Sequence, residues 1–397
     1  MKLANLFAPG AGRYLLAAGA LSMFAMGASQ ALYGPFFSHF GETLGVTPSR
    51  LGMLPGLHFA GATAGILAGG FLARRLGYRR ILAVGALLLA SGFAVVALAV
   101  AWRPILLGVG LIGLGFGVLV NLNILVDRAF GDLGPAALQL INATFSVGAI
   151  SGPLLAAVSL SVGGQAVAFA VGSAISLVPL PLLLSSRTSA LLAGEARASA
   201  SLERNLRRRR VVYPTLLFMP LFLVYPGTEA SFSSWMPPHL QSLLPMAAAG
   251  ALASAFWLAF TLGRLVAVPV SMRLSPQRMV SAGLLLAGVA SLAATKDALV
   301  WVAYPVAGFA IGPVFPGLLS WLRRRFPAEA GEASSLVMAA GGVGGIILPP
   351  AVGFVVESAG VVVIPIALAV ILAGALIISL ALLISGSRWQ PRLRRTR

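Results

Sequence analysis

The chain has 397 residues, of which 58% are apolar and 10% charged, and its mean hydropathy is +0.95. Soluble globular chains carry about 25% charged residues, so an ordinary soluble domain is excluded and a polytopic membrane protein is expected. The absence of cysteine removes disulfides and thiolate metal sites; the net charge of +18 raises the question of a nucleic-acid partner, which its placement answers.

A spanning helix needs roughly 20 apolar residues. Twelve such runs are expected, at 13–38, 51–73, 79–101, 104–127, 135–160, 165–186, 212–239, 246–270, 277–295, 298–321, 333–356 and 360–385. Barrel strands would instead alternate over about ten residues. The first run follows Lys2 and contains Ala28-Ser29-Gln30-Ala31, which imitates a signal peptide. Its length of about 26 residues and the spans behind it make it a retained helix. With both termini on one side, the 28 basic residues fall on that side except Arg50, Arg103 and Lys296 on the other and Arg264 within a span. This bias predicts cytoplasmic termini and a plasma (inner) membrane location. The surplus is then a topology signal, with anionic lipid as its contact and no nucleic acid as partner. The side bearing the arginine-rich loops is termed the basic face, the opposite one the far face.

In the first half, run one offers Gln30 in its far half, able to point into a central cavity. Run two offers His58, read either as a proton partner or as a histidine hydrogen-bonded between helices. His39, like His239 later, falls at a far end and is expected only to be solvated. The loop Gly70 to Leu82, GFLARRLGYRRIL, carries Arg75 and Arg79. Run four holds Asn121 and Asn123 and ends at Asp127; run five holds Asn142 and GAISGPLL, Gly148 to Leu155. The polar stretch Ser185 to Arg210 divides the runs six and six. The expected units are an N-terminal six-helix bundle over 1–186, a cytoplasmic basic linker over 187–211, and a C-terminal six-helix bundle with a basic tail over 212–397.

Run seven ends in VYPGTEASFSSW, Val224 to Trp235. Pro226 removes an N–H and Gly227 loosens the helix, so a bend that frees backbone carbonyls for solute is expected. An ionised group at mid-membrane costs about 2.5–3.5 kcal/mol, so Glu229 and Arg264 are expected to face a cavity or a partner. A carboxyl passing between dry and wet surroundings can take up and release a proton. Glu229 could equally accept from solute hydroxyls, or be a structural acid bonded to Ser231 or Ser233. At ~1.5 Å per residue, Glu229 lies about 25 Å from the basic end of its run and Arg264 roughly 9–10 Å from that of run eight. They are therefore expected to be two separate sites. Tyr225 shares the face of Glu229. Trp235 either stacks on solute or anchors at the interface.

Arg264 either binds an anionic solute or closes the gate on the basic face, with Asn142, Asn121 and Asn123 at similar depth. Tyr304, Trp257 and Trp321 read as packing or belt residues. The glycine run Gly341 to Gly345 allows close helix approach. No nucleophile–base set, metal-ligand cluster or phosphate loop appears, so neither an enzyme nor a cofactor is expected.

The halves echo each other. Gly27/Gly227 and His39/His239 coincide at an offset of 200, Arg75/Arg273 and Arg80/Arg278 at 198, and Gly148/Gly345 and Pro153/Pro350 at 197. Two such repeats imply a duplicated carrier frame.

GFLARRLGYRRIL resembles the signature of the major facilitator superfamily, with Gly70, Leu72, Arg75, Gly77 and Arg79 at matching positions. That resemblance implies an inner gate. The usual acid is Arg74 here; Asp127 matches the second acid and is expected to take part of the role of the missing one. YPGTEASFSSW, FWLAFTLGRL and the stretch Gly308 to Gly353 resemble the fucose–galactose–glucose:proton symporter-like branch, which implies a small polar solute such as a sugar. The proton-carrying acids known on helices 1 and 4 of the fucose transporter are missing. GAISGPLL resembles the core of the antiporter signature of drug exporters, although close packing of small residues also explains it.

The expectation is an all-α integral membrane protein of the major facilitator fold, with twelve transmembrane helices in two pseudo-symmetric six-helix bundles. It is expected to move a small polar solute, a monosaccharide for example, by proton-coupled symport as a monomer. Proton-driven efflux of amphipathic drugs or metabolites is the alternative. The binding or coupling candidates are Glu229, Tyr225, Gln30, Trp235 and His58; the gating candidates are Arg264, Arg75, Arg79, Asp127, Asn142, Asn121 and Asn123.

Overall fold

The structure, a computed structural model, describes residues 10–185, 208–327 and 330–387. The expected linker lies almost wholly outside the described residues, as does the basic tail. Long helices account for nearly everything described: α1 (Ala11–Leu32), α2 (Met53–Leu76), α3 (Tyr78–Ala97), α4 (Trp102–Phe130), α5 (Gly134–Val162), α6 (Gln165–Leu177), α7 (Arg208–Leu243), α8 (Met246–Val270), α9 (Pro276–Ala293), α10, α11 (Ala330–Ala359) and α12 (Ile364–Ser387). α10 is broken at Gly312-Pro313 into Val300–Ile311 and Val314–Arg325. Among the described residues, ten helical stretches are long and apolar enough to cross a membrane. Apolar side chains also cover the outside of the molecule: Leu67, Phe354 and Ile377 are exposed. In water that surface would be an aggregation liability; in hydrocarbon it is the expected one.

Chain breaks follow residue chemistry. Gly77 holds φ +82 between α2 and α3, a left-handed setting that glycine accepts without a Cβ clash. Helix pairing repeats along the chain. α1 packs on α5, α2 on α4 and α3 on α6; six helices later α7 packs on α11, α8 on α10 and α9 on α12.

Small residues set the distances. A Cβ on Gly27 would stand 1.9 Å from the Phe145 carbonyl oxygen, and one on Gly148 2.0 Å from that of Phe24. GAISGPLL is thus a packing surface against α1. In the second half, a Cβ on Gly344 would stand 1.7 Å from the Leu223 carbonyl oxygen.

The expected break at Pro226-Gly227 does not occur, because α7 continues through it. Pro226 cannot donate to the Phe222 carbonyl one turn back, but Gly341 of α11 packs over that carbonyl. Gly227 serves the same contact: its Cβ would meet the Gly344 carbonyl oxygen at 2.6 Å. The carbonyls near Pro226 face a neighbouring helix rather than a cavity.

The two groups of helices meet through α5 with α8 and α2 with α11. The hydrogen bonds described between them all lie toward the far face. Ser254 Oγ donates to the Ile150 carbonyl at 2.7 Å, Ser233 Oγ to the Gln30 carbonyl at 2.9 Å, and Gln241 to the Pro35 carbonyl at 2.7 Å. Toward the basic face Asn142, Asp127 and Arg75 are exposed. The molecule is closed at the far face.

Candidate functional site

Glu229 sits on α7 near the junction of the two halves. Gln30 of α1 donates its amide N–H to Glu229 Oε1 at 3.2 Å. Both side chains are half-buried. One turn toward the basic face, the buried Tyr225 donates its hydroxyl to the Ile311 carbonyl at 3.2 Å, at the break in α10. Glu229 and Arg264 are the charged groups that act on that hydroxyl. The Arg264 Nε donates to the Gly312 carbonyl at 3.2 Å, and its guanidinium stands 4.3 Å from the Phe260 ring centroid.

Among the described residues no ion pair joins Glu229 to Arg264, as expected, although both act on the Tyr225 hydroxyl. Axial counting placed the Cα atoms of Glu229 and Arg264 far apart but left out side-chain reach. Tyr225 lies about 6 Å below Glu229 along the helix, and the long arginine stem covers the rest. Gln30, Glu229, Tyr225 and Arg264 form one polar chain from α1 through α7 to α8.

The α10 break also has a physical reason. Pro313 removes an N–H and Gly312 packs on α8: a Cβ there would meet the Phe260 carbonyl oxygen at 2.2 Å. The Ile311 and Gly312 carbonyls are taken by Tyr225 and Arg264 instead.

Trp235 is neither a solute platform nor an interface anchor in this state. It is 1% exposed, donates its indole N–H to the Pro349 carbonyl at 2.8 Å and packs edge-on against Phe37 at 5.1 Å. Gly52 and Gly353 crowd its ring, so it plugs the closed far face. His58 is buried, with Tyr33 OH 3.0 Å from its Nδ1. The expected solvation of His239 is corrected. It is buried, 2.8 Å from Tyr304 OH through Nδ1, because α7 runs beyond the expected boundary and carries it inside. Tyr304 is thereby a hydrogen-bonding residue as well as a packing one.

The expected gate around Arg264 is not assembled here. Asn142 donates to Asn123 Oδ1 at 3.1 Å, a pairing of α5 with α4. Asn121 turns back to the Val118 carbonyl and crowds Gly69. Arg75 stacks on Phe71 of its own helix, Arg79 donates to the Leu184 carbonyl, and Asp127 lies against Gly134 at the α4–α5 turn. These contacts stay within the first half, as a structure open toward the basic face requires.

Sequence reasoning missed three contributors. Tyr33 lies three residues after Gln30, and that spacing on one helix face was the available signal. Ser233 reads from sequence only as a partner of Glu229, yet it donates across the halves to Gln30. Glu357 accepts the Ser49 backbone N–H at 2.9 Å, so α11 caps the short helix Pro48–Leu51 of the other half.

The family profile described as Major Facilitator Superfamily matches residues 19–248 and 243–396. The sodium-dependent glucose transporter 1 of Xenopus laevis is 24% identical over 362 residues, spanning 82% of this chain and 72% of the relative. The solved nucleoside transporter NupG superposes with a TM-score of 0.74 at 13% identity, covering 94% of this chain and 98% of its own. The xylose transporter XylE from E. coli, in a partially occluded inward open conformation, superposes with a TM-score of 0.74 at 12% identity, covering 92% and 96%. At such identities the structures share the fold.

Proposed function

The chain belongs to the Major Facilitator Superfamily, and from that premise we propose that it carries a small hydroxylated solute, a monosaccharide foremost, by proton-coupled alternating access. Its relatives and structural neighbours are transporters rather than enzymes. Two six-helix bundles rock about the central polar chain, with both termini and the basic face in the cytoplasm. The closed far face then makes this the inward-facing state. The protein works as a monomer in the plasma (inner) membrane, its arginines against anionic lipid and a proton as coupling ion.

The observation that carries the reading is the bond from Gln30 to Glu229. It joins an acid of one half to an amide of the other. Opening the far face removes that donor, so the carboxyl must then meet water, a solute hydroxyl or a proton. Its protonation is thereby linked to which face is open. The neutral polar surroundings and the glucose-transporting relative support a sugar as cargo.

The test is uptake of D-glucose and L-fucose into proteoliposomes under an imposed proton gradient. Glu229→Gln is expected to keep solute exchange and to abolish gradient-driven accumulation. Undiminished accumulation by the variant would sink the coupling role. Drug export keeps no observation of its own, since GAISGPLL is accounted for by its packing on α1.

A further inference from the structure

A small cavity lies beside the Gln30–Glu229 bond, between the halves. Gln30, Tyr33, His58 and Phe59 line it from the first half, Ser233 and Ser234 from the second. Its volume is about 10 Å³, room for no more than one water and too small for any sugar. His58 Nε2 is buried there without a hydrogen-bond partner, although the ring is only 2% exposed. Its other nitrogen is already matched to Tyr33. Gln30 donates its side-chain amide to Glu229, and its backbone carbonyl accepts from Ser233 Oγ. Among the polar atoms of this wall, His58 Nε2 is fully buried and has no partner.

Buried polar groups without partners are uncommon in native proteins, and each asks for an explanation. Here the walls come from two bodies that separate when the far face opens. The Tyr33 bond fixes the imidazole plane, so Nε2 points one way throughout.

We propose that His58 Nε2, oriented by Tyr33 and flanked by Gln30 and Ser234, is the far-side subsite for a hydroxyl of the transported solute, assembled when the far face opens and collapsed when it closes. The inference rests on the sugar-transport reading above. The chemistry names the class: these lining side chains are neutral donors and acceptors, with Phe59 offering an aromatic face. Neutral hydroxyls suit that wall, and an anion would find no counter-charge there. The nearest acid, Glu229, is capped by Gln30 in the closed state and can accept from a further solute hydroxyl once that cap is withdrawn.

The lack of cysteine supplies the experiment, because Ser234→Cys creates a sole thiol in the cavity wall. Full-length protein in proteoliposomes is treated from the far face with a membrane-impermeant methanethiosulfonate, with and without D-glucose, L-fucose or glycerol. A sugar is expected to slow labelling. In Ser234→Cys with His58→Phe, the concentration for half-maximal protection should rise about fivefold, as for loss of one neutral hydrogen bond. His58→Gln, which keeps a polar atom, should recover part of it. Labelling without sugar shows that each variant is folded and opens. Equal protection with and without the His58→Phe substitution would overturn the subsite and leave sugar transport standing. No protection by any of the three solutes, even with His58 present, would overturn both.

Discussion

The far-face closure makes a quantitative prediction through Ser254. Its hydroxyl, buried on α8, donates to the Ile150 carbonyl of α5 at 2.7 Å. Ile150 lies within α5 and its carbonyl keeps its helical partner, so Ser254→Ala removes one cross-half bond without orphaning an acceptor. The loss is that of a neutral hydrogen bond, about 1 kcal/mol, which changes a population ratio by about fivefold. The whole of that effect falls on the far-closed state, because the bond cannot survive separation of α5 from α8. With Ser234→Cys as the sole thiol, far-side labelling should therefore quicken about fivefold in Ser254→Ala. A second sole thiol, Asn142→Cys, reports the basic face, where Asn142 is exposed; its labelling should hold or slow slightly. Quickening at both faces would mean general loosening, and no change at the far face would refute the closure argument.

Two further outcomes test the polar chain and the packing beneath it. Tyr225→Phe removes the hydroxyl bonded to the Ile311 carbonyl in the neighbourhood of Glu229 and Arg264 while keeping the ring against Phe315; proton-driven uptake should fall at least about tenfold while solute exchange persists, and full retention of driven uptake would show that the hydroxyl plays no part in coupling. Gly344→Ala places a Cβ where 1.7 Å separates it from the Leu223 carbonyl oxygen, so α7 and α11 must move apart. Overpacking of this kind costs about 1–3 kcal/mol, to be read as a lowered thermal transition of the purified protein; an unshifted transition would show that the two helices separate freely.

Much of the fold was legible because a membrane imposes a simple code of length and apolarity. The offset repeats match the helix pairing that recurs in the second half. Glu229 and Arg264 stood out for the same reason, as charges in hydrocarbon. Their partners were less legible. Gln30 and Glu229 lie 199 residues apart in sequence, and only the docking of α1 against α7 joins them. Axial counting missed that Glu229 and Arg264 both act on the Tyr225 hydroxyl, because it ignored side chains. It also missed the burial of His239, since a polar residue near a run's end reads as wet until the helix is seen to continue. Proline and glycine in α7 signalled a break by local rules, and the close approach of α11 overrode them.

The duplicated frame explains where the acid stands. At the offset of 200, Ser29 stands opposite Glu229 and Gln30 opposite Ala230. Ser29 is buried and satisfies itself on the Met26 carbonyl of its own helix. The first repeat thus spends its matching position on a local bond, while its next residue reaches across. The second repeat puts the acid at the matching position and a methyl at the next. The two polar groups occupy consecutive register positions of related helices, so they meet where the repeats face each other instead of each meeting its own image. A symmetric pair of acids there would repel, and a symmetric pair of amides would carry no proton. One acid against one amide gives a bond that exists only while the far face is shut. The proposed proton coupling requires that asymmetry.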